Sequence, residues 1–250
     1  AGYHITKNND LLYIVIPITL GAVSGYTIQN NKDFKYFFII TSILITAYLI
    51  FLQYGMHEKI IKLISKKEFI VLLKKNGTPV DIQKEFLKNF DRIIALIKDL
   101  TPYFLFIIAS SIAGFSFLLI DKFFSLTGYI KKIDGLEKFK VPDITIFILI
   151  GMWAFVAFMS NDNYYTVRIS AFNIALAVTT LYFIQSLGIL KHVLIKKNIT
   201  AYSLPLIVMV LLLINSVLRI FSIVFLTGIG LLDFWADFRK LNEHYDNKQE

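Results

Sequence analysis

Asp233 and Asp237 are the residues of this chain whose type and spacing most invite chemistry. They lie four apart in GIGLLDFWADFRK (Gly228 to Lys240), so a helix would carry both carboxylates on one face. Such a DxxxD pair can hold Mg²⁺ and a diphosphate for metal-assisted group transfer. That chemistry normally gathers several acids around the ion, and the sequence holds no second acidic cluster. The same stretch also reads as a helix leaving a bilayer. Gly228 and Gly230 loosen its end, Phe234, Trp235 and Phe238 anchor at the interface, and Arg239 and Lys240 fix the end in the cytoplasm. Solvation or local ion pairing then accommodates both aspartates, and replacing both with Asn should leave a folded protein. This second reading explains every residue, so the expectation is a protein that is not an enzyme, with no metal and no cofactor.

The remaining polar candidates sit inside apolar runs. Asn173 and Gln185 fall in one run, and Asn215, Ser216 and Arg219 in another. A cation near the bilayer centre costs at least ~2.5 kcal/mol on insertion scales, so Arg219 needs a polar cavity, an anion or a route to the interface. Asn215 and Arg219 are four apart and share a helix face. Asn173, Gln185, Asn215 and Arg219 are therefore the candidates for a pocket that binds a small polar or anionic solute. The competing reading has the helix break near Asn215 and Arg219 snorkel to an interface. His4, His57, His192 and His244 show no metal-ligand spacing, and no HExxH, Walker A, GxSxG or GxGxxG motif is present.

Small residues supply a third pattern. Gly21 and Gly25 form GxxxG, and Ala109 and Ala113 repeat the spacing. In lipid such residues let helix backbones approach closely. They serve either this chain's own packing or the docking of a partner membrane subunit.

The elements that must position these residues are apolar helices. The chain has 250 residues, 56% hydrophobic and only 18% charged, with 23 Phe and 13 Tyr. Soluble domains carry roughly 25% charged residues. Six apolar segments stand out: Leu11–Thr27, Tyr36–Tyr54, Pro102–Ile120, Ile144–Met159, Val167–Leu190 and Leu204–Leu232. Roughly 20 helical residues cross a hydrocarbon core, so the expected fold is all-α, a polytopic bundle of about six spans forming one membrane domain over residues 1–250. The last segment, 29 residues long, exceeds a straight span and should kink or break between Asn215 and Gly230. Without cysteine there is no disulfide and no thiolate site. The net charge of +8 sits in loops between spans, where it addresses lipid and topology rather than nucleic acid.

Between the second and third segments, His57–Leu100 holds ten Lys/Arg and apolar residues at helical spacing. NGTPVD divides it into two amphipathic helices, Thr78 being placed to cap the second at Pro79, and DLTPYF starts the next span at Thr101 and Pro102. These helices would lie on the membrane face or against partner protein. With the first segment running outward, this insertion, the SNDNYYTVR loop and the C-terminal tail are cytoplasmic, and the loop Asp121–Asp143 is outside. Fifteen Lys/Arg then lie inside against ten outside, in the sense of the positive-inside rule. No cleavable signal peptide is read in AGYHITKNND.

GIGLLDFWADFRK resembles the C-terminal signature of the YybS-like family of uncharacterised bacterial membrane proteins, and LYFIQSLGILKHVL (Leu181 to Leu194) resembles that family's glutamine-glycine segment, with Ser186 in place of the glycine. The charged insertion followed by LTPYF fits as well. The family's layout is similar to that of the substrate-binding S components of energy-coupling-factor transporters. The resemblance implies a multi-pass protein of a bacterial cytoplasmic membrane with its C-terminus inside. It also implies a solute site on Asn173, Gln185, Asn215 and Arg219, and docking of partner subunits through Gly21, Gly25, Ala109 and Ala113. A structural subunit that recruits partners through its cytoplasmic helices is the alternative.

Overall fold

The computed structural model describes residues 3–30, 34–63, 71, 74, 75, 77, 79–127, 135–159, 164–199, 203–213 and 215–239. Eight α-helices are described: α1 (Tyr3–Gln29), α2 (Phe34–Leu63), α3 (Val80–Asp99), α4 (Thr101–Thr127), α5 (Ile144–Phe158), α6 (Tyr165–Lys196), α7 (Ser203–Leu213) and α8 (Ser216–Ala236). One 3₁₀ turn, Leu136–Lys138, precedes α5. Among the described residues there is no strand, so the fold is all-α.

Length and apolarity fit three of these helices to cross a membrane, within Phe34–Phe51, Tyr165–Lys196 and Ser216–Ala236. A fourth span results if the bent pair Arg92–Asp99 and Thr101–Phe117 counts as one. The apolar helices Ile14–Gln29 and Ile144–Phe158 are shorter. At 1.5 Å per residue α5 reaches about 22 Å, short of the roughly 30 Å hydrocarbon layer, whereas Ile14–Gln29 is part of the 27-residue α1, about 40 Å long.

Two packing units meet at a shared aromatic core. In the first, α2 lies along α4, with α1 against α2. Phe34 packs tilted against Phe117 at 4.3 Å between ring centroids, and Phe38 meets Phe139 edge-on at 5.7 Å. In the second, α6 is flanked by α5 and α8. Thr145 at the start of α5 shares a 2.9 Å hydrogen bond with the Tyr182 hydroxyl, and Trp153 packs edge-on against Phe172. Falling residue numbers on α6 against rising ones on α5 make that pair antiparallel.

The long last apolar segment is broken, at the N-terminal edge of the expected interval. α7 stops at Leu213, and Asn215 is an extended N-cap whose Oδ1 accepts from the Val217 amide at 3.0 Å. The two glycines do not interrupt α8; Gly230 is used for packing instead. The insertion also differs in shape. α2 runs without interruption through His57 to Leu63, and α3 begins at Val80 after Pro79, with no side-chain cap. Gly77, at φ +67°, supplies the left-handed turn before it. Thr78, and much of 64–76, lie outside the described residues. The start of α4 at Thr101, with Pro102 in its first turn, is as the sequence indicates.

Candidate functional site

The densest polar cluster surrounds Asp233. α8 brings Thr227, Gly230 and Asp233 to α6 at three-residue spacing, and all three are buried. Gly230 is needed there for a steric reason. A Cβ at this position would lie 2.0 Å from the Tyr182 carbonyl oxygen, so any side chain would push α8 off α6. That approach sets Asp233 beside Gln185. The Gln185 Nε2 donates to Asp233 Oδ2 at 2.9 Å and to the Gly230 carbonyl at 3.2 Å, while its Oε1 accepts from the Val141 amide at 2.7 Å.

α8 ends at Ala236, and Asp237 takes the left-handed conformation at φ +39°, which turns the chain back. The Phe238 amide then donates to Asp233 Oδ1 at 2.9 Å. Arg239 pairs with Asp233 Oδ2 at 2.6 Å, both side chains being fully buried. Its other terminal nitrogen donates to the carbonyls of Phe139 (2.8 Å) and Glu137 (3.1 Å). Gly188 leaves room for the loop and the guanidinium, since a Cβ there would meet the Leu136 carbonyl at 2.3 Å. At the rim, Lys191 pairs with Glu137 at 2.7 Å. A carboxylate and a guanidinium out of water are tolerable only when paired and hydrogen-bonded. Both terminal nitrogens of Arg239 and both oxygens of Asp233 are so here, while the buried Arg239 Nε makes no hydrogen bond among the described residues.

Three expectations change here. Asp233 is not solvated at an interface; of the two expected ways to accommodate it the local ion pair holds, made with Arg239 inside the core at 0% exposure. Asp233 and Asp237 do not share a helix face, because the helix stops between them, with Asp233 buried on α8 and Asp237 in the left-handed turn after it. The inside tail and outside loop cannot lie on opposite membrane faces either, because Arg239 bonds to the backbone of 137 and 139. With the tail's three cations moved to that loop's side, the end where α3 lies holds twelve against thirteen, and the count no longer assigns an orientation. The sequence signal for the cluster was present: two polar residues, Gln185 and Asp233, each in apolar surroundings, can satisfy one another only by meeting.

The four proposed pocket residues do not converge. Gln185 belongs to the Asp233 cluster. Asn173, about 18 Å along α6 from it at 1.5 Å per residue, joins α3 to α4: its Oδ1 accepts from the Tyr103 amide at 3.0 Å, and its Nδ2 donates to the carbonyls of Asp99 (2.7 Å) and Ile169 (2.8 Å). Asn215 and Arg219 come together at the start of α8, where Arg219 is half-buried and donates to Ser216 Oγ at 3.3 Å. Ala109 and Ala113 are fully buried within the chain's own bundle, and docking through them would require opening it. Gly21 and Gly25 are exposed, with nothing within 4 Å of where a Cβ would stand. Among the described residues, no three His, Asp or Glu side chains gather as a metal site would require.

A family model described as "Predicted membrane protein (DUF2232)" matches residues 4–234. Comparison with curated proteins and with solved structures returned no match.

Proposed function

We propose, from the premise that the chain belongs to this DUF2232 family of predicted membrane proteins, a non-enzymatic transport-type role: binding a small anionic solute at the break between α7 and α8. The carrying observation is the conjunction of Asn215, Ser216 and Arg219 at the N-terminus of α8, directly after the break. Broken membrane helices present their positive N-terminal ends to anionic groups. Arg219 adds a fixed cation in a stretch whose other side chains, from Val217 to Phe225, are mostly apolar and exposed. Asn173 and Gln185 do not belong to this site, because they lie elsewhere, joining helices at the α3–α4 bend and in the Asp233 cluster. The resemblance to the YybS-like family and to S components supports the same role, and with it a bacterial cytoplasmic membrane.

The test is a thermal-stability screen of the purified protein against inorganic phosphate, dicarboxylates and nucleotides. A ligand bound at 100 times its Kd stabilises by about 2.7 kcal/mol. One anion should raise the midpoint saturably in the wild type and fail to do so in Arg219→Gln. No shift with any anion, or a shift unaffected by Arg219→Gln, contradicts the proposal. A second reading, a subunit that assembles with other membrane proteins, is supported by the open Gly21–Gly25 face of α1. Cross-linking from that face to another chain, without anion binding, would favour it.

A further inference from the structure

We infer that α3 is an interfacial helix whose partner is the bilayer surface itself, gripped through its apolar face and not through lipid charge. The bend between α3 and α4 measures 50°, and it is built rather than loose. Asn173 of α6 bridges the two sides of the joint, accepting from the Tyr103 amide and donating to the Asp99 carbonyl. The Tyr165 hydroxyl donates to the Asp99 carboxylate, and Thr101 Oγ1 donates to the Ile97 carbonyl at 2.9 Å. α3 therefore leaves the apolar helix α4 at a set angle from its end.

Exposure tells what covers it. On α4 the exposed apolar residues Phe104, Ile108, Phe115 and Leu119 recur at intervals of four and seven, a single stripe on an apolar helix whose 27 residues are long enough to meet lipid without α3. The stripe carries on through the bend. Ile97 stands seven residues before Phe104, and Ile82, 54% exposed, prolongs the same side of α3 toward its start. Ile93 and Ile94, half-buried, and Phe90, buried, lie beside it. The surface that covers α4 thus continues onto α3 without a change of face, which favours the bilayer over a separate protein.

Charge decides the lipid requirement. The opposite side of α3 carries Lys84, Lys88 and Arg92 at four-residue spacing, with Lys98 near the end. Asp81, Glu85, Asp91 and Asp99 match these four cations, so residues 80–99 have no net charge. A helix of this kind seats its apolar side about 5–10 Å into the headgroup boundary through buried area alone.

The chain has no cysteine, so single cysteines at Ile82, Ile97 and Lys88 can each carry an environment-sensitive fluorophore in the full-length protein. Phe104→Cys on α4 serves as the lipid-facing control. After reconstitution in phosphatidylcholine vesicles, a nitroxide on the upper acyl chain should quench most emission at 82, 97 and 104, and iodide should quench only 88. Adding phosphatidylglycerol should leave the pattern unchanged. The inference is overturned if 82 and 97 are quenched by iodide while 104 is quenched by lipid. It is equally overturned if they become lipid-quenched only with anionic lipid, or if they cross-link to another protein in native membranes and escape lipid quenching.

Discussion

Replacing Arg239 by Met should be among the most damaging single changes available in this protein. The substitution keeps an unbranched apolar stem but removes the guanidinium and leaves Asp233, fully buried, without its cation. Gln185 and the Phe238 amide still donate to the carboxylate, while the carbonyls of Glu137 and Phe139 lose their donor. Breaking a buried ion pair from one side costs roughly 3–5 kcal/mol, a large share of the 5–15 kcal/mol that holds a typical domain together. Asp233→Asn should cost a similar amount by stranding the guanidinium. The double variant Asp233→Asn/Arg239→Gln removes both charges, so it should be less destabilised than the sum of the singles, with a coupling of about 1–3 kcal/mol. Unfolding in mixed micelles, followed by fluorescence of Trp235 and Trp153, gives the three numbers of the cycle. Single variants within about 1 kcal/mol of wild type, the value usual for exposed pairs, would refute the burial argument. So would strict additivity.

Glycine substitutions should separate two kinds of glycine. Gly230→Ala should destabilise by about 1–3 kcal/mol through overpacking against the Tyr182 carbonyl, whereas Gly21→Ala and Gly25→Ala should be neutral or stabilising by up to about 1 kcal/mol in the isolated chain, all read from the same unfolding curves. Asn173→Leu should cost about 1–3 kcal/mol by orphaning the Tyr103 amide and the Asp99 carbonyl at the α3–α4 joint, and should increase hydrogen exchange at residues 99–103. Cysteines at Gly135 and Phe238 should label from the same side of sealed vesicles, and a cysteine at Lys84 from the other; labelling of 135 and 238 from opposite sides would contradict the contact between Arg239 and the 137–139 backbone.

The helical membrane class was legible because apolar runs and a low charged fraction are properties of composition. The start of α4 was legible because Thr-Pro at 101–102 is local chemistry. The break in the last segment was visible through Asn215, where one of the two sequence readings put it, and the wider interval to Gly230 was not needed, since a helix tolerates Gly228 and Gly230 when a neighbouring backbone packs against one of them. Asp233 was misread for a related reason. Whether an aspartate at the end of an apolar run meets water or a guanidinium depends on the turn that follows, and the left-handed Asp237 that brings Arg239 back is not encoded by glycine or any other strong local signal. The separation of Asn173 and Gln185 from Arg219 is likewise tertiary. All are polar residues in spans, but a sequence does not say which of them are consumed in joining helices.

Arg219 carries the functional account, and native mass spectrometry of the protein released from its own membranes tests it most directly. The wild type should retain a small anionic adduct that survives gentle activation, and Arg219→Gln, prepared in parallel and equally folded, should lack it. A bare wild-type protein, or an adduct retained equally by both, would contradict binding at the α7–α8 break.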